Sequence, residues 1–300
     1  MTKPSPAKPQ LLSAIDIITL AFCGWILLYM SLGMAYVKDA YRHLPMYLGI
    51  TVIVLLMAWW QKTLKPGSKT YRVLSFVRGL YPVSLFGYFF ASSYSVNQII
   101  FHDWLDPFFM GIDFKLFGYY PSLDWGIKFS NWFTSELFHF AYFCYYPMIG
   151  GLPLYLYFKK PKAFKELIFN LTFVFYMCYF IFSILPVIGA RYIPEAMEIT
   201  QTYRAGLFTH IMVFIYRTSN HLGGAFPSSH IAIALVLTVA ALRHTKYMGY
   251  VFVVISFFLS LATVYCHYHW FIDAIAGIFA GVGGFYLAIW VHKKLFGALE

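Results

Sequence analysis

The sequence predicts an all-α fold, a polytopic membrane helix bundle of about eight transmembrane helices. Three observations carry that prediction: 60% of the 300 residues are hydrophobic, only 11% are charged, and the apolar residues fall in runs long enough to cross a bilayer. Soluble domains carry about 25% charged residues, so this chain has too little polar composition to cover a water-soluble globule. Disordered chains, secreted disulfide scaffolds and nucleic-acid-binding proteins are excluded together. The four cysteines, Cys23, Cys144, Cys178 and Cys266, lie in or beside apolar runs, where a thiol behaves as a small hydrophobe.

Residues 1–10, MTKPSPAKPQ, read as a disordered cytoplasmic tail. The first apolar run, 12–35, is followed by no small-residue cleavage site and reads as a signal anchor. A crossing helix needs about 20 mostly apolar residues, and seven more runs meet that length: 44–61, 74–99, 133–157, 164–186, 227–243, 246–266 and 269–291. Eight crossings return the chain to the side on which it starts. The net charge of +10 follows this topology: the tail, the even-numbered loops and the C-terminal end hold 15 of the 22 Lys and Arg. In the other four loops seven cations balance seven acids. By the positive-inside rule the termini are cytoplasmic, and the balanced loops face periplasm, exterior or organelle lumen. Residues 11–100 read as accessory transmembrane helices and 101–300 as the membrane domain that carries the chemistry. Residues 203–216 are too short to span and read as an outer-interface roof.

Ionisable side chains are costly in a membrane and mark functional sites. Here they gather on the outer face. The loop before 227–243 reads His221-Leu222-Gly223-Gly224-Ala225-Phe226-Pro227-Ser228-Ser229-His230, and the loop before 269–291 reads Cys266-His267-Tyr268-His269-Trp270-Phe271-Ile272-Asp273. Alternating span directions bring His230 and His269 to one level. Gly224 allows close backbone approach, and the first-turn amides of Ser228, Ser229 and His230 form an anion site. His269 and Asp273, four apart, share a helix face, so the carboxylate can hold one ring N–H and free the other nitrogen as nucleophile or base. Arg191, at the outer end of 164–186, supplies a bidentate phosphate contact. An anion nest, an arginine, an oriented histidine and a second histidine describe in-line phosphoryl transfer through a phosphohistidine. No cofactor is called for, and no metal: His267 and His269 form a His-x-His pair that no thiolate or carboxylate cluster completes. Glu136, His139, Arg217, His221 and His267 are candidates for headgroup or acceptor binding. The segment holding Asp103, Asp106 and Asp113 reads as architectural, and the aromatic wealth as lipid contact and interface belt.

Pro227-Ser228-Ser229-His230 followed by His269-x-x-x-Asp273 resembles the second and third signatures of the type 2 phosphatidic acid phosphatase superfamily. The resemblance places a core of that type in the C-terminal half and implies His269 as nucleophile, Asp273 as its orienting acid and His230 as proton donor to the leaving group. Residues 103–121 and Gly189-Ala190-Arg191-Tyr192 resemble a branch that includes inositol phosphorylceramide synthase and bacterial membrane proteins. Two family features differ: the lysine-led first signature is reduced to Arg191-Tyr192, and Ala262 and Thr263 stand where Ser-Arg is usual.

A phosphomonoester carries close to two negative charges near neutral pH, a phosphodiester one, so fewer cations fit the diester. The expected function is therefore an integral-membrane lipid phosphotransferase moving a phospho-headgroup from a phospholipid donor to a lipid alcohol acceptor. The alternative is a lipid phosphate phosphatase of phosphatidate, phosphatidylglycerophosphate or polyprenyl pyrophosphate type, transferring to water. A transporter is the more distant reading, since its ionisable groups would reach the midplane from both sides. Membrane di-iron oxygenases fail on histidine spacing. The partners implied are membrane lipids and no nucleic acid.

Overall fold

The computed structural model describes residues 11–202, 206–217 and 221–297, and among these all regular structure is helical. The first three helices are α1 (Ala14–Leu32), α2 (Ala40–Thr63) and α3 (Lys69–Ser93). α1 starts at a capping box in which Ser13 Oγ accepts from the Asp16 amide (3.2 Å) while Asp16 Oδ2 accepts from the Ser13 amide (2.8 Å). Ser68 caps α3 by accepting from the Tyr71 amide at 3.1 Å. Two short helices follow, α4 (Asp106–Phe117) and α5 (Pro121–Lys128). On α4 the residues at i, i+3 and i+7, Asp106, Phe109 and Asp113, are buried, while Phe108 and Leu116 are exposed. The helix therefore turns its two acids inward and its large apolar side chains outward.

The predicted span 133–157 is broken into α6 (Trp132–Phe143) and α7 (Tyr145–Lys159). The break precedes Pro147, which has no N–H to offer the Phe143 carbonyl and whose ring crowds it. After α8 (Pro161–Ile184) come two more short helices, α9 (Pro194–Thr202) and α10 (Leu207–Arg217), and then α11 (Ser229–His244), α12 (Lys246–Tyr265) and α13 (Phe271–Phe296). Among the described residues six helices, α1, α2, α3, α8, α12 and α13, are long and apolar enough to cross a membrane, as a multi-pass integral membrane protein requires. The sequence reading counted eight comparable spans. The other two are the α6–α7 pair and the 16-residue α11, only about 24 Å long against a hydrocarbon core of about 30 Å. α11 lacks Pro227 and Ser228 of the predicted 227–243 and gains His244, so it is as short as the apolar run that predicted it.

α11 is buried on nearly all sides and is the hub, with α7, α8, α12 and α13 packed on it. Close approach to α13 is set by glycine. A Cβ on Gly277 would lie 2.7 Å from the Ser228 carbonyl oxygen, and one on Gly281 2.6 Å from that of Ala232. This Gly277-x-x-x-Gly281 seam lets the two backbones touch. Helices α1 and α3 dock on α8 through aromatic rings, Phe22 stacked on Tyr176 at 4.9 Å and Phe86 against Phe175 at 4.3 Å, and α2 joins them by stacking Tyr47 on Phe89 of α3 at 5.4 Å.

Candidate active site

The seam between α11 and α13 brings two helix starts together. His230 sits in the first turn of α11 and His269 just before α13, with ring centroids 6.4 Å apart. Backbone bonds lock this junction: the Ser228 amide donates to the Asp273 carbonyl (3.0 Å), and the amides of Tyr268 and His269 both donate to the Thr263 carbonyl (3.0 Å each). Asp273 Oδ2 accepts from the Trp270 amide at 2.9 Å and faces His269 Nδ1 at 3.6 Å. Nδ1 has no hydrogen-bond partner at that separation, and neither has Asp273 Oδ1.

Two further carboxylates fix the loops from a distant part of the chain. Asp106 accepts from the amides of Ile188 (2.9 Å) and Gly189 (2.8 Å) and from the Trp270 indole N–H (2.8 Å), so one side chain ties the Arg191 segment to the His269 loop. Asp113, two turns along α4, accepts from the amides of Phe271 (2.7 Å) and Ile272 (3.0 Å) and caps α13 from outside. Burial raises the Asp113 carboxyl above its ordinary value, and the two amides pull it back. Gly189 adopts φ +85°, and a Cβ there would stand 2.5 Å from the Tyr268 carbonyl oxygen. Gly223 and Gly224 adopt φ +83° and +95°, the left-handed region that favours glycine.

Arg191, Ser229, His230, His269, Gly224 and His221 line one cavity of about 200 Å³, walled by rings including Tyr142, Tyr216 and Tyr268. Arg191 Nη2 donates to the Tyr216 carbonyl (2.5 Å), and its guanidinium lies over the Tyr216 ring at 4.3 Å. Tyr216 in turn stacks on Tyr268 at 4.1 Å and hydrogen-bonds Tyr142 through the hydroxyls. Burial pushes the His269 imidazole down to about 4, with the Ala225 backbone opposing, and the His221 imidazole also to about 4. Both rings are therefore neutral at pH 7.

Several expected contacts lie elsewhere. The Ser228 amide is used by Asp273, and its Oγ caps α11 by accepting from Ile231 (3.5 Å), so Ser228 braces the junction and does not line the cavity. The first-turn amides that the helix leaves over are those of Ser229 and His230. Glu136 does not line the cavity either: it accepts from the amides of Gly206 (3.1 Å), Phe208 (2.9 Å) and Thr209 (3.0 Å) and the Thr209 hydroxyl (2.6 Å), capping α10. His139 meets the Ser135 carbonyl (2.6 Å) and Thr209 Oγ1 (3.3 Å). His267 is buried against the Ser122 carbonyl, where burial lowers it to about 4. The Arg217 side chain and Arg204 lie outside the described residues. Among the described residues no group of three or more His, Cys, Asp or Glu is arranged to hold a metal ion.

Over residues 120–287, more than half of its length, the chain matches the model of the PAP2 superfamily. It belongs to that superfamily. Members of the PAP2 superfamily are phosphatases or phosphotransferases, so the chain is an enzyme of that broad chemistry. No curated protein and no solved structure matches the chain. The PAP2 stretch runs from α5 into α13 and contains Arg191, His230, His269 and Asp273, whereas Asp106 and Asp113, which hold its loops, precede it. Sequence reasoning reads the Asp106 and Asp113 segment as architectural without finding which loops it holds, and it misses the tyrosine wall. The i, i+7 spacing that puts Asp106 and Asp113 on one helix face is the available signal.

Proposed function

We propose that the protein is an integral-membrane lipid phosphotransferase that works through a phosphohistidine on His269. The observation that carries this reading is the pair of histidines at two abutting helix starts, opening with Arg191 onto one cavity. With its proton on Nδ1, toward Asp273, neutral His269 attacks phosphorus through Nε2. The P–N bond forms as the bond to the departing alkoxide breaks, and His230, held protonated by the anionic phosphate bound beside it, gives that oxygen its proton. Arg191 and the Ser229 and His230 amides stabilise the equatorial oxygens. The acceptor hydroxyl then loses its proton to His230 and attacks phosphorus, the P–N bond breaks, and both histidines return to their starting states. No step is assigned to a metal.

The donor is a phosphodiester. Arg191 is the one Lys or Arg lining the cavity among the described residues, and one cation suits a singly charged phosphate better than a doubly charged one. Thr263, where the family pattern has arginine, is buried and uses its carbonyl to hold the Tyr268 and His269 amides. The acceptor is a lipid alcohol, as in the sphingolipid synthases that residues 103–121 and 189–192 resemble. A phosphatase transferring to water is the second reading, because the same residues serve either acceptor.

Purified protein in mixed micelles containing a chelator tests both. Lipid phosphomonoesters and phosphodiesters are offered separately, with and without ceramide or diacylglycerol, beside His269→Ala, and products are read by mass spectrometry. Headgroup transfer from a diester that needs the acceptor lipid is expected. Free phosphate from monoesters without an acceptor would make the protein a phosphatase, and turnover surviving in His269→Ala would end the phosphohistidine mechanism.

A further inference from the structure

We infer that the end of the bundle opposite the histidines carries a second anion site, built for a phosphate group. It is formed where α1 and α8 start, α2 and α13 end, and the first turns of α3 pass, and it encloses a cavity of about 450 Å³. From Asp273 to His292 along α13 the distance is roughly 30 Å at 1.5 Å per residue, so the cavity is separate from the one already described.

Its chemistry is that of a donor set without an acid. Arg78 organises it: the side chain is 10% exposed, ion-paired with fully buried Asp16, and bonded to the Gln61 side chain and the Leu11 carbonyl (3.2 Å). Its Nε–H is buried with no partner. Asp16 is saturated by Arg78, by the Ser13 amide and hydroxyl (2.8 Å each) and by the Tyr81 hydroxyl (3.3 Å), so its charge is cancelled and does not line the cavity. Gln61 Nε2 donates to Ser75 Oγ (2.5 Å), which leaves the Ser75 hydroxyl hydrogen to be given elsewhere. Lys165, exposed at the rim, and His292 complete the lining, and no carboxylate is among the described residues that line it.

A buried Arg–Asp pair by itself accounts for a stable bundle. It does not account for an open volume beside the arginine, an unused guanidinium donor, and a lysine added at the mouth. A phosphate oxygen answers all three, since it accepts from guanidinium, hydroxyl and ammonium donors at once. Phe169 and Phe296 make the remaining wall apolar, which suits a phosphate carried on a lipid. The shared ligand chemistry is a phosphate group, on a phospholipid headgroup or free in solution.

The test uses the full-length protein in neutral detergent, with native mass spectrometry for bound lipid and thermal unfolding for stabilisation. Phosphatidylglycerol, phosphatidylcholine and inorganic phosphate are the probes. Lys165→Glu and Lys165→Gln are the variants, chosen because an exposed rim residue leaves the fold intact. One phosphatidylglycerol should bind about tenfold in preference to phosphatidylcholine, persist in His269→Ala, and weaken about tenfold in Lys165→Glu and less in Lys165→Gln. Stabilisation by inorganic phosphate that depends on Lys165, with no lipid preference, would support the site and assign it to free phosphate. Binding that ignores Lys165, or that disappears in His269→Ala, would overturn it.

Discussion

His221, His267 and His269 are each pushed down to about 4 by burial, and this has a thermodynamic consequence for the folded state. Between the ordinary histidine value near 6.5 and about 4, the unfolded chain binds protons that the folded chain refuses. Stability is therefore complete above pH 6.5 and falls as pH drops toward 4, by at most ~3 kcal/mol per histidine at 1.36 kcal/mol per pH unit. The unfolding midpoint in micelles should be flat from pH 7 to 8 and decline steadily from pH 6.5 to 4, with a shallower decline in His221→Gln. A midpoint that rises on acidification would contradict the buried neutral rings. The same burial keeps the His269 lone pair available below pH 6, so a nucleophile at this position is not silenced by mild acid.

Helix packing sets whether two such residues meet at all. On α13, Gly277 faces the Ser228 backbone, while a Cβ on Gly283 would meet nothing within 4 Å. Gly277→Ala should push α13 away from the α11 start, lose about 1–3 kcal/mol to overpacking, and cut activity at least tenfold because His230 and His269 separate. Gly283→Ala should keep full activity and gain about 0.5–1 kcal/mol in helix propensity. Equal behaviour of the two variants in thermal unfolding and turnover would show that the seam does not position the site. The seam also explains what was legible. His269 and Asp273 could be paired from sequence because helix geometry relates i to i+4. The Pro227-Ser228-Ser229-His230 turn could be read because a helix start has local rules. The bonds from Asp106 to Trp270 and from Glu136 to Thr209 have no such rule, since they join elements whose adjacency is decided only by the packed bundle.

At the scale of the whole molecule, apolar run length gave the positions of the crossings well but overstated two of them. Composition does not register that Pro147 breaks one run in half, and the run at 227–243 was itself at the short limit for a crossing. Orientation rests on a different signal, the clustering of Lys and Arg on one side, and it is open to direct measurement. The four native cysteines are all buried and unpaired, so they give little background to a membrane-impermeant maleimide. Lys65→Cys, in the loop between α2 and α3, and Leu116→Cys, on the exposed face of α4, report opposite ends of the bundle. Leu116 should label in intact cells and Lys65 only after permeabilisation. The reverse result would turn the histidine cavity to the cytoplasmic side and make its substrates inner-leaflet lipids. Labelling of both in intact cells would mean that α3 does not cross, and the docking of α1 and α3 on α8 would then need a different explanation from membrane insertion.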